Sequence, residues 1–216
     1  METSGKTVSF AVLENDQLVC EVLTNLAVQQ KDSFALWISQ WLSEIGISVG
    51  QLTGVAVSTG PGSFTGLRVG MSLGKGICLA RNIPLWAVPT LTAMAYSIPP
   101  TDRLLCPTTF ARNGECYAAL YSNASGRILQ LEPPFVTDTA GLAKRLTKPA
   151  WIWGEGALAI QNDLETLLKK DQPIQRSDLF LPRASAIARL AQQQIANGET
   201  PAAPDLEPYY LKSFSR

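Results

Sequence analysis

The residues best placed to do chemistry are Gly60-Pro61-Gly62-Ser63, which follow the short β-branched run Val55-Ala56-Val57 and open a long apolar segment. A glycine-rich turn between a buried strand and a helix can hold an anion on the free N–H groups of the first helical turn. The spacing decides which anion sites are available. A P-loop needs GxxxxGK[ST], but Gly66 is followed by Leu67-Arg68. A dinucleotide fingerprint needs GxGxxG, and Gly60, Gly62 and Gly66 stand one residue too far apart. Ser63 is then best read as a helix cap whose hydroxyl accepts from the first turn.

Histidine is absent from all 216 residues. This removes Ser-His-Asp triads, Cys-His pairs, HExxH zinc sites and any histidine general base. Cys20, Cys78, Cys106 and Cys116 form no CxxC pair and read as thiols in a reducing compartment. A formal net charge of zero gives no global bias toward nucleic acid or anionic membranes. No apolar run reaches the ~18 residues of a membrane span, and no signal-peptide pattern opens the chain, so a cytoplasmic protein is expected.

The elements that must position the turn follow from periodicity. Thr7 to Leu13 and Gln17 to Leu23 alternate around Glu14-Asn15-Asp16 and predict a β-hairpin. Ser33 to Ile45 has helical periodicity, with Phe34, Trp37, Ile38, Trp41, Leu42 and Ile45 on an arc of roughly 140°. Leu52 to Ser58 is a strand leading into the glycine helix, which Asn82-Ile83-Pro84 closes. Along that helix Gly62, Gly66, Gly70 and Gly74 recur every four residues, with Gly76 beside them. Glycine disfavours a helix interior by ~1 kcal/mol relative to alanine, so the stripe implies close approach of another backbone. Either the same domain or a partner helix can supply it.

Leu85 to Val88 is a buried strand, and Thr90 caps a helix over Leu91 to Ser97 that ends before Pro99-Pro100. That break divides the chain into an N-terminal half, 1–99, and a C-terminal half, 100–216. The second half begins with strands over Leu104 to Ala111, Glu115 to Ser122 and Arg127 to Val136, the first two joined at Asn113-Gly114. A helix over Ala140 to Leu146, a strand over Ala150 to Trp153, and helices over Asn162 to Lys169 and Ala184 to Asn197 complete it. Two halves with the same element order predict a duplicated α/β fold with mixed sheets flanked by helices.

Four pieces, in order, carry a family resemblance. STGPGSFTGLRVGMSLGKGICLA, ARNGECYAALY, WGEG and EPYYLK resemble the motifs of the TsaB (YeaZ) family, paralogues of the threonylcarbamoyltransferase TsaD. Together they span nearly the whole chain. Glu2-Thr3-Ser4-Gly5-Lys6-Thr7 is similar to the first phosphate loop of actin-like ATPases and sugar kinases. The resemblance implies an actin-like (ASKHK, ribonuclease H-like) duplicated fold. It also implies a non-catalytic subunit in the threonylcarbamoylation of the tRNA adenosine beside the anticodon, binding and stabilising TsaD, with TsaE joining the complex. A second copy of the chain is the alternative partner, and tRNA is reached through the complex.

No cofactor or metal is required on this reading. Gly5, Thr7, Gly154 and Gly156 are the loop positions that would hold ATP or ADP without turnover. Glu2 stands where the family commonly has Asp, and Phe110 where many members have an acid; the aromatic at 110 removes the charge and the oxygen ligands a hard cation needs. The isolated chain is therefore expected to show no peptidase activity and negligible ATP turnover. An actin-like ATP-dependent phosphotransferase with its own substrate is the rival.

The expected partner interface comprises Trp37, Trp41, Gly62, Phe64, Gly66, Arg68, Gly70, Met71 and Gly74. It is formed by two helices packed side by side, so that Gly70→Leu would abolish partner binding while leaving a folded monomer. One further expectation concerns the beginning of the chain. The family opens with an apolar strand before this loop, lying between the strands that follow it. Without it Thr7 to Leu13 and Leu52 to Ser58 lack a shared neighbour and the sheet should not close, which would place the true start upstream of Met1.

Overall fold

The computed structural model describes residues 1–25, 34–168, 174–175 and 181–212. In chain order the elements are β1 (Thr7–Glu14), β2 (Gln17–Asn25), α1 (Phe34–Glu44), β3 (Val55–Ser58), α2 (Phe64–Arg81), β4 (Leu85–Val88), α3 (Thr90–Tyr96) and β5 (Leu104–Phe110). They continue as β6 (Glu115–Ser122), β7 (Leu129–Asp138), α4 (Thr139–Arg145), β8 (Ala150–Trp153), α5 (Glu155–Ala159), α6 (Gln161–Leu167), β9 (Ile174–Gln175) and α7 (Ala184–Ala196). Ser33, expected to start the first helix, and Lys169, expected to end another, lie outside the described residues.

The chain forms two compact units. The first comprises Met1–Thr59, Ser63–Pro89 and Arg183–Pro208, and the second Gly60–Gly62, Thr90–Pro182 and Tyr209–Arg216. The division expected at 99/100 is therefore corrected in two places. Leu91, Met94 and Ala95 of α3 bury into a cluster with Leu105, Ala119, Tyr121 and Trp153, which draws α3 into the second unit. The last helix, α7, returns to the first, where the Gln194 amide donates to Ala87 O at 3.2 Å and Ala202 N to Leu85 O at 2.8 Å.

The second unit has one five-stranded sheet in the order β7-β6-β5-β8-β9. The pairs β7/β6 and β6/β5 are antiparallel, and β5/β8 and β8/β9 parallel. Its main core, including Cys106, Leu120, Leu142, Ile152 and Leu164, lies between the sheet and α4 to α6.

In the first unit β1 and β2 form the expected hairpin, turning at Asn15 and Asp16, both with positive φ. β3 and β4 are parallel. Between the two pairs run the first residues of the chain. Glu2 and Ser9 exchange backbone bonds of 2.9 Å in an antiparallel bridge. On the other side Met1 N donates to Ala56 O at 2.6 Å and Ser58 N to Met1 O at 3.1 Å, the slanted pattern of a parallel pair. The expectation of a sheet left without its central neighbour is thus corrected. Met1 to Thr3 take the central position at the Ser9/Ser58 end, because buried backbone groups there require partners.

With that segment included, the order and pairing sense of the first unit match those of the second. The protein is a duplicated actin-like α/β fold with mixed sheets flanked by helices. The core of the first unit gathers Val8, Phe10, Ile38 and Leu42, with Trp37, Trp41 and Leu73 packed against them.

Candidate functional site

Helix α2 begins and ends as its sequence requires. The Ser63 hydroxyl accepts from Gly66 N at 3.2 Å, and Asn82, left-handed at φ 51°, turns its N–H back to Cys78 O. Just before it, Gly60 N donates to the Thr90 hydroxyl at 3.2 Å and the Thr109 hydroxyl to Pro61 O at 3.2 Å. The turn is therefore held by hydroxyls of the second unit. Thr90 is the first residue of its own helix.

The covered face of α2 holds Gly66, Leu67, Gly70, Met71, Gly74 and Cys78. A Cβ on Gly66 would overlap the Thr3 carbonyl oxygen, one on Gly70 the Thr3 hydroxyl, and one on Gly74 would stand 2.7 Å from Val57 Cγ1. Ser63 N also donates to Ser4 O at 2.6 Å. The stripe thus receives the chain's own first residues and β3. This corrects the placement of Gly66, Gly70, Met71 and Gly74 at a partner interface. Close packing within one domain fills them.

Trp37 and Trp41 also differ from expectation. Trp37 meets Phe10 edge-on at 5.1 Å between centroids and Phe34 at 5.9 Å, so both tryptophans serve the core of their own unit while remaining half-buried. Gly62 and Phe64 are half-buried and Arg68 exposed, its guanidinium 4.0 Å above the Phe64 ring. The outward face of α2 runs through Thr65, Arg68, Val69, Ser72, Gly76 and Leu79. Val69 is 40% and Leu79 86% exposed, and a Cβ on Gly76 would meet nothing within 4 Å.

The loop positions expected to hold a nucleotide divide between the units. Gly5 is half-buried and Thr7 pairs with Asn25 at the start of β1. Gly154 and Gly156 are filled from within: added Cβ atoms would overlap Thr108 O and stand 2.5 Å from Thr109 O, respectively. Thr108 fastens this turn, its hydroxyl donating to Trp153 O at 2.8 Å and accepting from Ala157 N at 2.7 Å. Both glycines are thus required by the close approach of β5. Gly154 also has φ 103°, which L side chains rarely adopt. Gly154→Ala should then destabilise the protein by about 2–4 kcal/mol through strain and overpacking, measured as a lower denaturant midpoint at unchanged m.

Glu2 is buried, with one carboxyl oxygen accepting from Ser4 N at 2.5 Å. Burial raises its pKa, partly offset by the Ser4 contacts. Phe110 is 49% exposed at the end of β5. Cys106 and Cys116 are buried, and burial pushes both thiols up, Cys116 to about 12, so neither offers a thiolate nucleophile near neutral pH. Among the described residues no group of three or more His, Cys, Asp or Glu is arranged to hold a metal ion. No described helix is long and apolar enough to cross a membrane.

Two arrangements escaped sequence reasoning. The Glu21 carboxylate on β2 accepts from Ser185 N, Ser185 Oγ and Ser9 Oγ at 2.9–3.0 Å and from Arg183 Nε at 3.1 Å, closing the start of α7. A single acid inside the apolar run Gln17 to Leu23 was its one local signal. In the second unit Lys212 of EPYYLK forms an ion pair with Glu115 of ARNGECY, bringing two of the motif segments together.

Residues 27–149 match the family profile described as TsaD, tRNA N6-adenosine threonylcarbamoyltransferase. The chain is 26% identical over 208 residues to the tRNA threonylcarbamoyladenosine biosynthesis protein TsaB of Bacillus subtilis, covering 95% of this chain and 91% of that one. It is 28% identical over 176 residues to the TsaB of Escherichia coli, covering 80% and 76%. Its fold is similar to a crystal structure from Pseudomonas aeruginosa described as an uncharacterized protein with similarity to peptidase YEAZ. There the TM-score is 0.80 at 21% identity, over 98% of this chain and 97% of that one.

Proposed function

The chain belongs to the TsaB (YeaZ) family, with a TsaD-type domain, and from that premise we propose that it is a non-catalytic partner subunit of the tRNA threonylcarbamoyladenosine transferase. Its role in threonylcarbamoyladenosine biosynthesis is to bind and stabilise TsaD as a heterodimer, with TsaE joining and tRNA approaching through the complex in the cytoplasm. No cofactor is required, and a nucleotide, where one binds, is not turned over.

The observation that carries this reading is the outward face of α2. Val69 and Leu79 are exposed there, on the helix with the most specific family motif, and Gly76 between them leaves room for a partner helix to approach closely. The partner face is thus Arg68, Val69, Ser72, Gly76 and Leu79, on the side opposite the filled stripe. Leu79→Asp places a charge on that face at its most exposed apolar residue, and loss of a hot-spot anchor removes ~2 kcal/mol or more. Co-elution with TsaD should weaken at least tenfold with an unchanged melting temperature. Wild-type affinity in that variant would place the face elsewhere. ATP hydrolysis by the isolated chain that disappears in Glu2→Gln would favour the phosphotransferase.

A further inference from the structure

The sequence holds two Asn-Gly steps, Asn113-Gly114 in the loop joining β5 to β6 and Asn197-Gly198 just beyond α7. This dipeptide carries its own chemistry. The backbone nitrogen of the glycine can attack the asparagine side-chain amide, because no Cβ on the glycine stands in the way. A β-branched neighbour, as in Asn82-Ile83, crowds that nitrogen. Exposure does not separate the two Asn-Gly steps, since all four residues are exposed.

Hydrogen bonding does. Asn197 N donates to Gln193 O at 2.9 Å, Gly198 N to Ile195 O at 3.0 Å and Glu199 N to Gln194 O at 3.0 Å. The last two are the paired bonds that close a helix on a left-handed glycine, and they occupy the attacking nitrogen itself. In the β5–β6 turn Ala111 N donates to Glu115 O at 3.3 Å, whereas Gly114 N and the Asn113 side-chain amide make no hydrogen bond among the described residues. Asn113 and Gly114 both take positive φ, 64° and 72°, and a Cβ on Gly114 would meet nothing within 4 Å. Nucleophile and amide thus sit together in an open turn.

We propose that Asn113 is a self-modification site, converting through a succinimide to aspartate and isoaspartate, while Asn197 in the same dipeptide is held as asparagine. Solvent hydroxide takes the Gly114 N–H proton, the bond from Gly114 N to Asn113 Cγ forms, and the Cγ–Nδ2 bond breaks as ammonia leaves with a proton from water. Water then opens the ring. Addition at Cγ restores the ordinary backbone and gives aspartate. Addition at the α-carbonyl gives isoaspartate, whose chain runs through Cβ and Cγ and is one methylene longer. No atom is oxidised or reduced. Glu115, two residues on, faces Asp138 across β6 and β7 and is paired with Lys212. The new carboxylate therefore adds a third negative charge at that end of the sheet, within one of the motif segments.

The test uses the full chain, incubated folded and in parallel in guanidinium chloride, and sampled over time for tryptic digestion. Asn113 falls in the peptide of residues 113–127 and Asn197 in that of residues 190–212. Fragmentation in the mass spectrometer separates residue 113 from Asn123 and isoaspartate from aspartate. Because two hydrogen bonds of the α7 terminus must open before Gly198 N is free, deamidation in the folded chain should run at least ~10-fold faster at Asn113 than at Asn197. In guanidinium chloride, where neither step is held, the two rates should converge. Equal rates in the folded chain overturn the proposal. So does a folded chain that keeps Asn113 while the denatured one converts it, since the turn itself would then protect the amide. A difference that persists in guanidinium chloride also overturns it, tracing the selectivity to neighbouring residues and not to the bonds that close α7.

Discussion

Gly70→Leu should unfold the first unit before it affects any partner. The Gly70 α-carbon faces Thr3, and a Cβ there would already overlap the Thr3 hydroxyl, so a leucine must expel the segment Met1 to Ser4 from beneath α2. That segment carries the Glu2–Ser9 bonds, the Ser58–Met1 bond and the Ser63–Ser4 bond. At ~1 kcal/mol for each of these four bonds, plus ~1–3 kcal/mol for overpacking, the loss is about 5–7 kcal/mol. This is comparable to a domain's whole stability of ~5–15 kcal/mol. The melting temperature should fall by ~10–20 °C. Gly76→Leu, six residues further along the helix, is the control: it faces open space, and exchanging glycine for a better helix former stabilises by up to ~1 kcal/mol. Thermal unfolding of the two variants in parallel decides the matter. A folded Gly70→Leu monomer with wild-type stability would show that the first residues do not lie beneath α2.

The contrast between these two glycines marks where local sequence stops being informative. A spacing of four shows that Gly66, Gly70 and Gly74 share a face, and their propensity cost shows that something approaches it closely. Neither shows what approaches. Thr3, the occupant at Gly66 and Gly70, is more than sixty residues away in sequence, and a β-bridge of one residue pair leaves no periodicity to detect. The hairpins, α2 and its caps, and the order of the four motif segments were legible because each depends on neighbours within one or two turns.

Nonlocal features were not. The return of α7 to the first unit depends on Glu21, Ser9 and Arg183 meeting, and Arg183 lies 162 residues from Glu21. Helix α5 was missed because Gly154 starts it from a φ of 103° with no side-chain cap, so no start signal exists. The two-residue strand β9 is too short to have a period. The wide apolar arc of α1 and the glycine stripe are each consumed by the core of their own unit, which leaves the opposite side of α2 exposed.

Glu21 should make the docking of α7 sensitive to acid. The helix has no side-chain cap of its own, and the Glu21 carboxylate supplies one from another strand through Ser185 N, with Ser9, the Ser185 hydroxyl and Arg183 around it. Burial alone would push this carboxyl up. The Ser185 N–H, the two hydroxyls and Arg183 outweigh burial and leave it below the usual carboxylate range. A carboxyl whose folded pKa lies below its unfolded value, ~4.3 for Glu, contributes stability that is fully present above that value and is lost as pH falls through the folded one. Wild type should therefore lose stability below about pH 4.3 more steeply than Glu21→Gln, which has no charge to lose at this position. At neutral pH Glu21→Ala leaves Arg183 without its buried partner and the start of α7 uncapped, a loss of about 3–5 kcal/mol. Amide exchange separates this from a general loss of stability. Protection should fall first along Ala184–Ala196 and at the Ala202–Leu85 bond, while β5 to β8 keep theirs. Parallel acid limbs for wild type and Glu21→Gln would mean that the carboxylate does not hold α7.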